Sequence, residues 1–524
     1  MNQYSFLQSQ PSKGRLHLIR MQRRIFRDLQ REARERVGPP PKNLERALQS
    51  YERSFKRIQK IASMPKILEE ILKSCIVLLG DYHTLRQSQK SCLKILQGIV
   101  AQERKVILAM ELIYRKDQPI LDRYLQGEIN EKSFLNAIRY HTTFPFNWVN
   151  YKPIFEFAKQ RQIPVFGINF PARHSKDSLK ERDQKGAKEI VKLVEKNPGA
   201  ILLVLYGDLH LRKEGIPCFV QEEVQRKNLT QRLLVLYQNN ESLYWKLANR
   251  GIEDKTEAVQ LSTNAYCLIN SAPWIKLQSY LLWLEYGEDL LCKYYNECDL
   301  EEHSHSAFDY SHEIAQFAQR ITEFLKLPSV SLEGFEVHTM DDLRFLNRYA
   351  LLRKWEIRRW ILHSKSCYLP EKKIIYLARL DVNHAAEEAA EFIHHATSDY
   401  PIQDYLEPPY FFHRAWRKAL GFFGSKLINP KRKVPSIAKG NPWYGIAHPY
   451  QHLLNPNQKI QEWGQEDRRY YFEISRHWGY LLGDKLFQRF SEGKIGLEKV
   501  ASLFHEPFQE PETAAHQFRN GLLL

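Results

Sequence analysis

Six short apolar runs constrain this chain more than anything else in it. They are CIVLLG (75–80), KVILAMEL (105–112), IPVFGIN (163–169), ILLVLYG (201–207), RLLVLYQ (232–238) and AYCLIN (265–270). They are rich in Val, Ile and Leu and barely alternate with polar residues, the pattern of strands covered on both faces. Several of the gaps between them have room for a crossover helix. The pattern predicts an α/β fold with a mostly parallel open sheet flanked by helices.

One phrase recurs at the ends of these runs. Residues 75–83 read CIVLLGDYH and residues 201–210 read ILLVLYGDLH, so each run ends in Gly-Asp-x-His. In open α/β sheets, ligands bind beyond the carboxyl ends of the strands. The strand-end residues are Gly80, Asp81, Tyr82 and His83; then Glu111; then Asn169 and Arg173; then Gly207, Asp208 and His210. The glycines allow a sharp exit from the sheet and close approach of a ligand. Imidazoles can bind a metal or move protons near neutral pH. A carboxylate such as Glu111 can complete a metal site, orient a histidine or act as a base. A structural reading stands beside this one, in which Asp81 caps a helix beginning near Thr84.

The segment from about 74 to 275 resembles the ChaN branch of the haem-binding uptake/Tiki superfamily, which groups with erythromycin-esterase-like proteins. The matching pieces, in order, are IVLLGDYH, AMELIYRKDQPILDRYLQGEI, FPFNWVNYKPIFEFAKQRQIPVFGINFPARH, SLKERDQKGAKEIV and LYGDLHLRKEGIPCFV. The resemblance implies haem binding linked to iron uptake, or hydrolysis that uses the histidines and a Glu, in some relatives with a divalent metal such as Mn, Co or Zn. His83, Glu111 and His210 match the core positions, and Arg182 matches a recurring basic residue. Asp81 stands where the family more often has Glu. For haem, Tyr82, His83, Tyr206 and His210 are the candidate ligands, with Arg173, Arg182 and Arg212 for the propionates. For hydrolysis, His83, Glu111 and His210 would hold the metal or activate water, with Asp81, Asp208 and Asn169 around them and Arg182 on an oxyanion. Iron-uptake relatives tend to be exported lipoproteins, whereas no export signal is read here.

The remaining chain divides by pattern into a basic N-terminal helical segment (1–65), the α/β domain (66–295) and a mainly α-helical C-terminal domain (300–524) with a basic loop at 429–442. In the first, Leu18, Met21, Ile25 and Leu29 fall at helical spacing among arginines. Such a stripe either docks on the body or lies on anionic lipid. The formal net charge is +16, which favours anionic partners without selecting a nucleic acid, and no nucleic-acid motif is read. Seven scattered cysteines without a C-x-x-C, together with the lack of a signal-like N-terminus, point to a reducing cytoplasm. In the C-terminal part, DVNHAAEEAAEFIHH (381–395) sets His384, Glu388, Glu391 and His395 on one helical face, and Glu391 with His394 forms Glu-x-x-His. That spacing is used in helical-bundle metal sites, but a solvated or interfacial polar face is the expectation. The stretch EEHSHS (301–306) is expected to be a loop.

Overall fold

The computed structural model describes residues 11–171, 178–295, 309–331, 335–340, 342–398, 411–435, 468–508 and 511–523. Contacts divide the chain into two units, Ile25–Glu302 and Met1–Arg24 with His303–Leu524.

Eight strands build the first unit: β1 (Lys60–Ala62), β2 (Ile76–Asp81), β3 (Val106–Tyr114), β4 (Val165–Asn169), β5 (Ile201–Gly207), β6 (Leu233–Gln238), β7 (Ala258–Ser262) and β8 (Ala265–Leu268). Their order is β1-β7-β8-β6-β2-β5-β3-β4. The six apolar runs correspond to β2–β6 and β8, and every pairing among them is parallel. Among the described strands of this unit, the antiparallel pairings are β1 with β7 and β7 with β8; β1 and β7 are short, and their polar residues gave no apolar run to read. Residues of β2, β5 and β6 are buried throughout, because helices cover both faces of the sheet. One face packs on Tyr124, Phe134, Trp148 and Phe155.

The strand order decides what the sheet can do. β5 enters between β2 and β3, so two strands that end in Gly-Asp-x-His lie side by side, with β3 next to them. The two copies are out of step by one residue: Asp81 pairs with Gly207, and Gly80 with Tyr206. Side chains alternate faces along a strand, so this offset puts Asp81 and Asp208 on opposite faces.

The second unit is helical around a three-stranded sheet of β9 (Glu336–Thr339), β10 (Ser366–Leu369) and β11 (Ile374–Leu377), in the order β10-β11-β9. No sequence pattern marks the hairpin of β10 and β11. Those four-residue strands are wholly buried and show no alternation. Helix Phe411–Ile428 is buried along its entire length. Gly479 and Gly483 of helix Arg468–Ser491 sit directly against its backbone, where an added Cβ would strike the carbonyls of Ala415 and Ala419.

Of the two polar faces expected for helix Val382–Thr397, solvated or interfacial, the structure has the interfacial one. Asp381 caps the helix, its side chain accepting from the Asn383 amide, and Glu387, Glu388 and Glu391 are fully buried. Among the described residues these three form the one cluster with metal-ligand spacing. Its centre is taken by the Lys418 ammonium, with Nζ 3.2 Å from Glu387 Oε1, 3.5 Å from Glu388 Oε1 and 2.5 Å from Glu391 Oε1. Arg417 donates to Glu391 at 2.8 Å and Tyr480 to Glu387 at 2.8 Å, while Arg432 pairs with Glu387. The start of the supposed basic loop is thus core, since Lys431 and Arg432 are buried; residues 436–442 and the stretch 301–306 lie outside the described residues. Burial lowers the pKa of His384, His394 and His395 to about 4, so they stay neutral; His394 bonds the Glu506 carbonyl and His395 the Tyr368 hydroxyl.

The N-terminal helix Lys13–Val37 buries Leu18, Ile25 and Leu29, with Met21 partly covered. Among the described residues no helix is long and apolar enough to cross a membrane.

Candidate functional site

Glu111 is the hub of the sheet's carboxyl edge. The regular ladder between β3 and β5 ends at Met110, and the register toward β4 breaks between Met110 and Tyr114. Glu111 is the first residue of that irregular stretch, where a bulge can re-aim a side chain. Its Oε2 accepts the Gly207 amide at 2.6 Å, and its Oε1 accepts from Arg182 Nη2 at 2.8 Å. His210 Nε2 lies 3.4 Å from Oε1 and His83 Nε2 lies 3.8 Å from Oε2. Burial would raise the carboxyl pKa. The charges of His210, His83 and Arg182 and the Gly207 amide outweigh it and hold the pKa below the usual value. Glu111 is therefore a buried carboxylate facing two imidazoles.

Each histidine has its own carboxylate behind it. His83 Nδ1 bonds Asp81 Oδ2 at 2.9 Å, and Asp81 is fixed in turn by the Tyr151 hydroxyl at 2.7 Å and by Gln89. Asp81 is not the helix cap; Leu85 holds that position. Burial pulls the His83 pKa down, but the Asp81 bond and the charges of Asp81 and Glu111 carry it above the ordinary value. With Nδ1–H donated to Asp81, the Nε2 of neutral His83 carries the lone pair.

His210 does not use its own motif's aspartate. Its Nδ1 bonds Asp183, a fully buried residue that also pairs with Arg212 at 2.8 Å. Asp183 was missed in the sequence; its signal was adjacency to Arg182 on helix Ser178–Lys196, where successive residues point about 100° apart and can serve two neighbours. Asp208 faces the other way, as the one-residue offset requires. Its Oδ2 is 3.4 Å from Lys276 Nζ, and burial, aided by the Asp81 charge, raises its pKa against the pull of Lys276. A Cβ at Gly80 would collide with its Oδ1.

Gly207 is small for reasons of space. Its φ of −52° suits any residue, so backbone freedom is not what it supplies. A Cβ there would lie 3.0 Å from Glu111 Oε2, 3.2 Å from His83 Nε2 and 3.4 Å from His210 Cδ2.

The remaining sequence candidates are spread around this core. Asn169 Oδ1 accepts from Arg182 at 3.3 Å. The Tyr82 ring carries Lys276 on its face at 4.4 Å, and burial drives its phenol pKa upward. Tyr206 is fully buried with its ring 4.8 Å from that of His210. Arg173 lies outside the described residues.

His83 is the imidazole that meets solvent, with 22% of its side chain exposed against 9% for His210. It is walled by Phe144 at 4.8 Å and Phe146 at 4.7 Å between ring centroids. Phe146 stacks on Trp283 at 5.1 Å, and Trp283 on Tyr280 at 5.9 Å. The arrangement offers a lone-pair nitrogen beside an aromatic wall.

Residues 67–181 match a family model described as haem-binding uptake, Tiki superfamily, ChaN, which shows over that segment the resemblance that the sequence pieces carry. The match includes His83 and Glu111 and ends before Arg182 and His210. A solved structure described as cofacial haem binding to ChaN of Campylobacter jejuni is 17% identical, with a TM-score of 0.29, covering 40% of this chain and 93% of that one. No curated protein matches.

Proposed function

We propose, taking residues 67–181 as a segment of the ChaN-type haem-binding family, that this protein binds haem or a related metalloporphyrin at the carboxyl edge of its sheet and serves in haem or iron handling. The observation that carries the proposal is the pairing of His83 with Asp81 beside the Phe144, Phe146 and Trp283 rings. A haem site needs an axial donor, an apolar wall and cations for the propionates. His83 Nε2 would supply the axial lone pair while Asp81 fixes the tautomer and ring orientation. Tyr82 suits the role less, because its raised pKa keeps the phenol protonated and Lys276 covers its ring. Tyr206 is too deeply buried to reach a ligand at the edge. Arg182, 23% exposed, is the cation available beside Glu111. When bound, haem would supply a redox-active iron; His83 would hold it, Asp81 would fix that imidazole's orientation, and the Phe144 and Phe146 rings would limit access of water.

A second reading, hydrolysis of the esterase-like type, draws on Glu111 standing between two imidazoles. His83 or His210 would take the proton of an attacking water, with Arg182 at the developing oxyanion. A divalent metal held by His83, Glu111 and His210 fits less well, since both Glu111 oxygens already accept hydrogen bonds. An absorption spectrum with metal analysis of the protein as purified, before and after haemin addition, separates the readings. A Soret band that saturates with haemin supports haem binding. No Soret shift, together with ester hydrolysis by the purified protein, would replace it with the second reading.

A further inference from the structure

The second unit contains a groove of about 1020 Å³. Lys13, His17, Arg20, Arg24, Arg320 and Lys326 line it, with Phe324 and Phe490 at its base. Two acids, Glu323 and Glu492, also reach it, and Glu323 lies 4.0 Å from Arg24 in a widely exposed pair, which neutralises little. Five permanent cations against two anions leave a surplus of three positive charges.

Two further features point the same way. The groove holds the first residues of helix Lys13–Val37 and of helix Leu497–His505. The latter starts after Gly496 with no side chain capping its first amides, so its N–H groups and positive dipole end add to the cations. The base is apolar and aromatic: the His17 ring is 4.8 Å from Phe324, and Phe324 is 5.8 Å from Phe490. Burial first, and then the nearby charges of Arg20 and Lys326, lower the His17 pKa, so His17 adds no cation of its own to the groove.

We propose that this groove binds a ligand carrying several phosphate groups. Arginine forks match phosphate oxygens two at a time. The volume is at the upper end for ligand sites, roughly 300–1,000 Å³, so more than one phosphate and an apolar body fit. A free polyphosphorylated metabolite and a phosphorylated lipid headgroup present the same chemistry.

The test is calorimetric titration of the full chain with sodium tripolyphosphate, with orthophosphate, and with phosphatidylcholine vesicles with and without phosphatidic acid. Tripolyphosphate is expected to bind at least about tenfold more tightly than orthophosphate, with affinity falling steeply as salt rises. The exposed-residue double variant Arg20→Gln/Lys326→Gln, and separately Arg24→Gln, should each weaken it, the double by about tenfold or more. Unaltered thermal unfolding shows that the variants fold. Tripolyphosphate binding without vesicle binding assigns the site to a free ligand, and binding of both, with the vesicle arm lost in the double variant, to a membrane-presented one; phosphatidic acid binding without tripolyphosphate binding overturns the several-phosphate proposal. No saturable binding of either probe, or binding unchanged in the double variant, overturns the proposal.

Discussion

His83 Nε2 stands 3.8 Å from Glu111 Oε2, and the gap between them faces Gly207. An added Cβ at that position would lie within 3.2 Å of both atoms. Gly207→Ala should therefore disturb the site more than the fold. Overpacking of this kind costs about 1–3 kcal/mol. We expect haem affinity to fall about tenfold or more while circular dichroism stays native. Unchanged affinity would mean that this gap has no part in binding.

The histidine pairing makes binding depend on pH. His83 has a raised pKa, so the stabilisation from its pairing with Asp81 and Glu111 is full below about 6.5 and is lost as pH rises through the folded value. Iron requires the neutral imidazole, so haem affinity should strengthen as pH climbs through that same value. Asp81→Asn removes the largest upward cause and should move the midpoint to lower pH. Haem titrations across pH 5–9 check this. Glu111, with a lowered pKa, contributes stability above about 4.5 that is lost as pH falls through its folded value.

The two copies of Gly-Asp-x-His are predicted to differ in what their aspartates do. Asp183→Asn should move the ring resonances of His210 in proton-detected imidazole spectra, because Asp183 is the carboxylate bonded to its Nδ1. Asp208→Asn should leave His210 nearly unmoved and instead disturb Lys276. The opposite pattern would contradict the offset register.

That asymmetry marks where reading the sequence stops. The strands β2–β6 and β8 were legible because burial on both faces leaves continuous Val, Ile and Leu. Strand ends are also legible, so the sequence alone identifies His83, Glu111 and His210 as edge residues. The register between β2 and β5 could not, since a one-residue offset leaves no trace in either motif yet reverses the face of Asp208. Asp183 was hidden for a different reason: a buried aspartate on a mostly polar helix looks like any solvated one. Helix Val382–Thr397 left the choice between a solvated and an interfacial polar face open in the sequence, because the cations that meet its carboxylates lie more than twenty residues distant in the chain.

Lys418 should be indispensable to the second unit. Lys418→Met strips three buried carboxylates of their shared ammonium, and removing one partner of a buried pair costs about 3–5 kcal/mol. Chemical denaturation should show the loss. Glu388 gives the complementary case. Burial and the neighbouring Glu391 and Glu387 raise its pKa despite Lys418, so ionising it costs stability as pH rises above the ordinary carboxyl range. Glu388→Gln should flatten that decline and stabilise the protein at alkaline pH. A variant less stable at every pH would count against this.

The most direct measurement is haemin titration of the wild type and of His83→Ala, followed at the Soret band under matched pH and salt. The account predicts a saturable Soret shift in the wild type and a loss of at least about tenfold in affinity in His83→Ala, with an altered band position where binding persists. Identical affinity and an identical spectrum in the two proteins would contradict it.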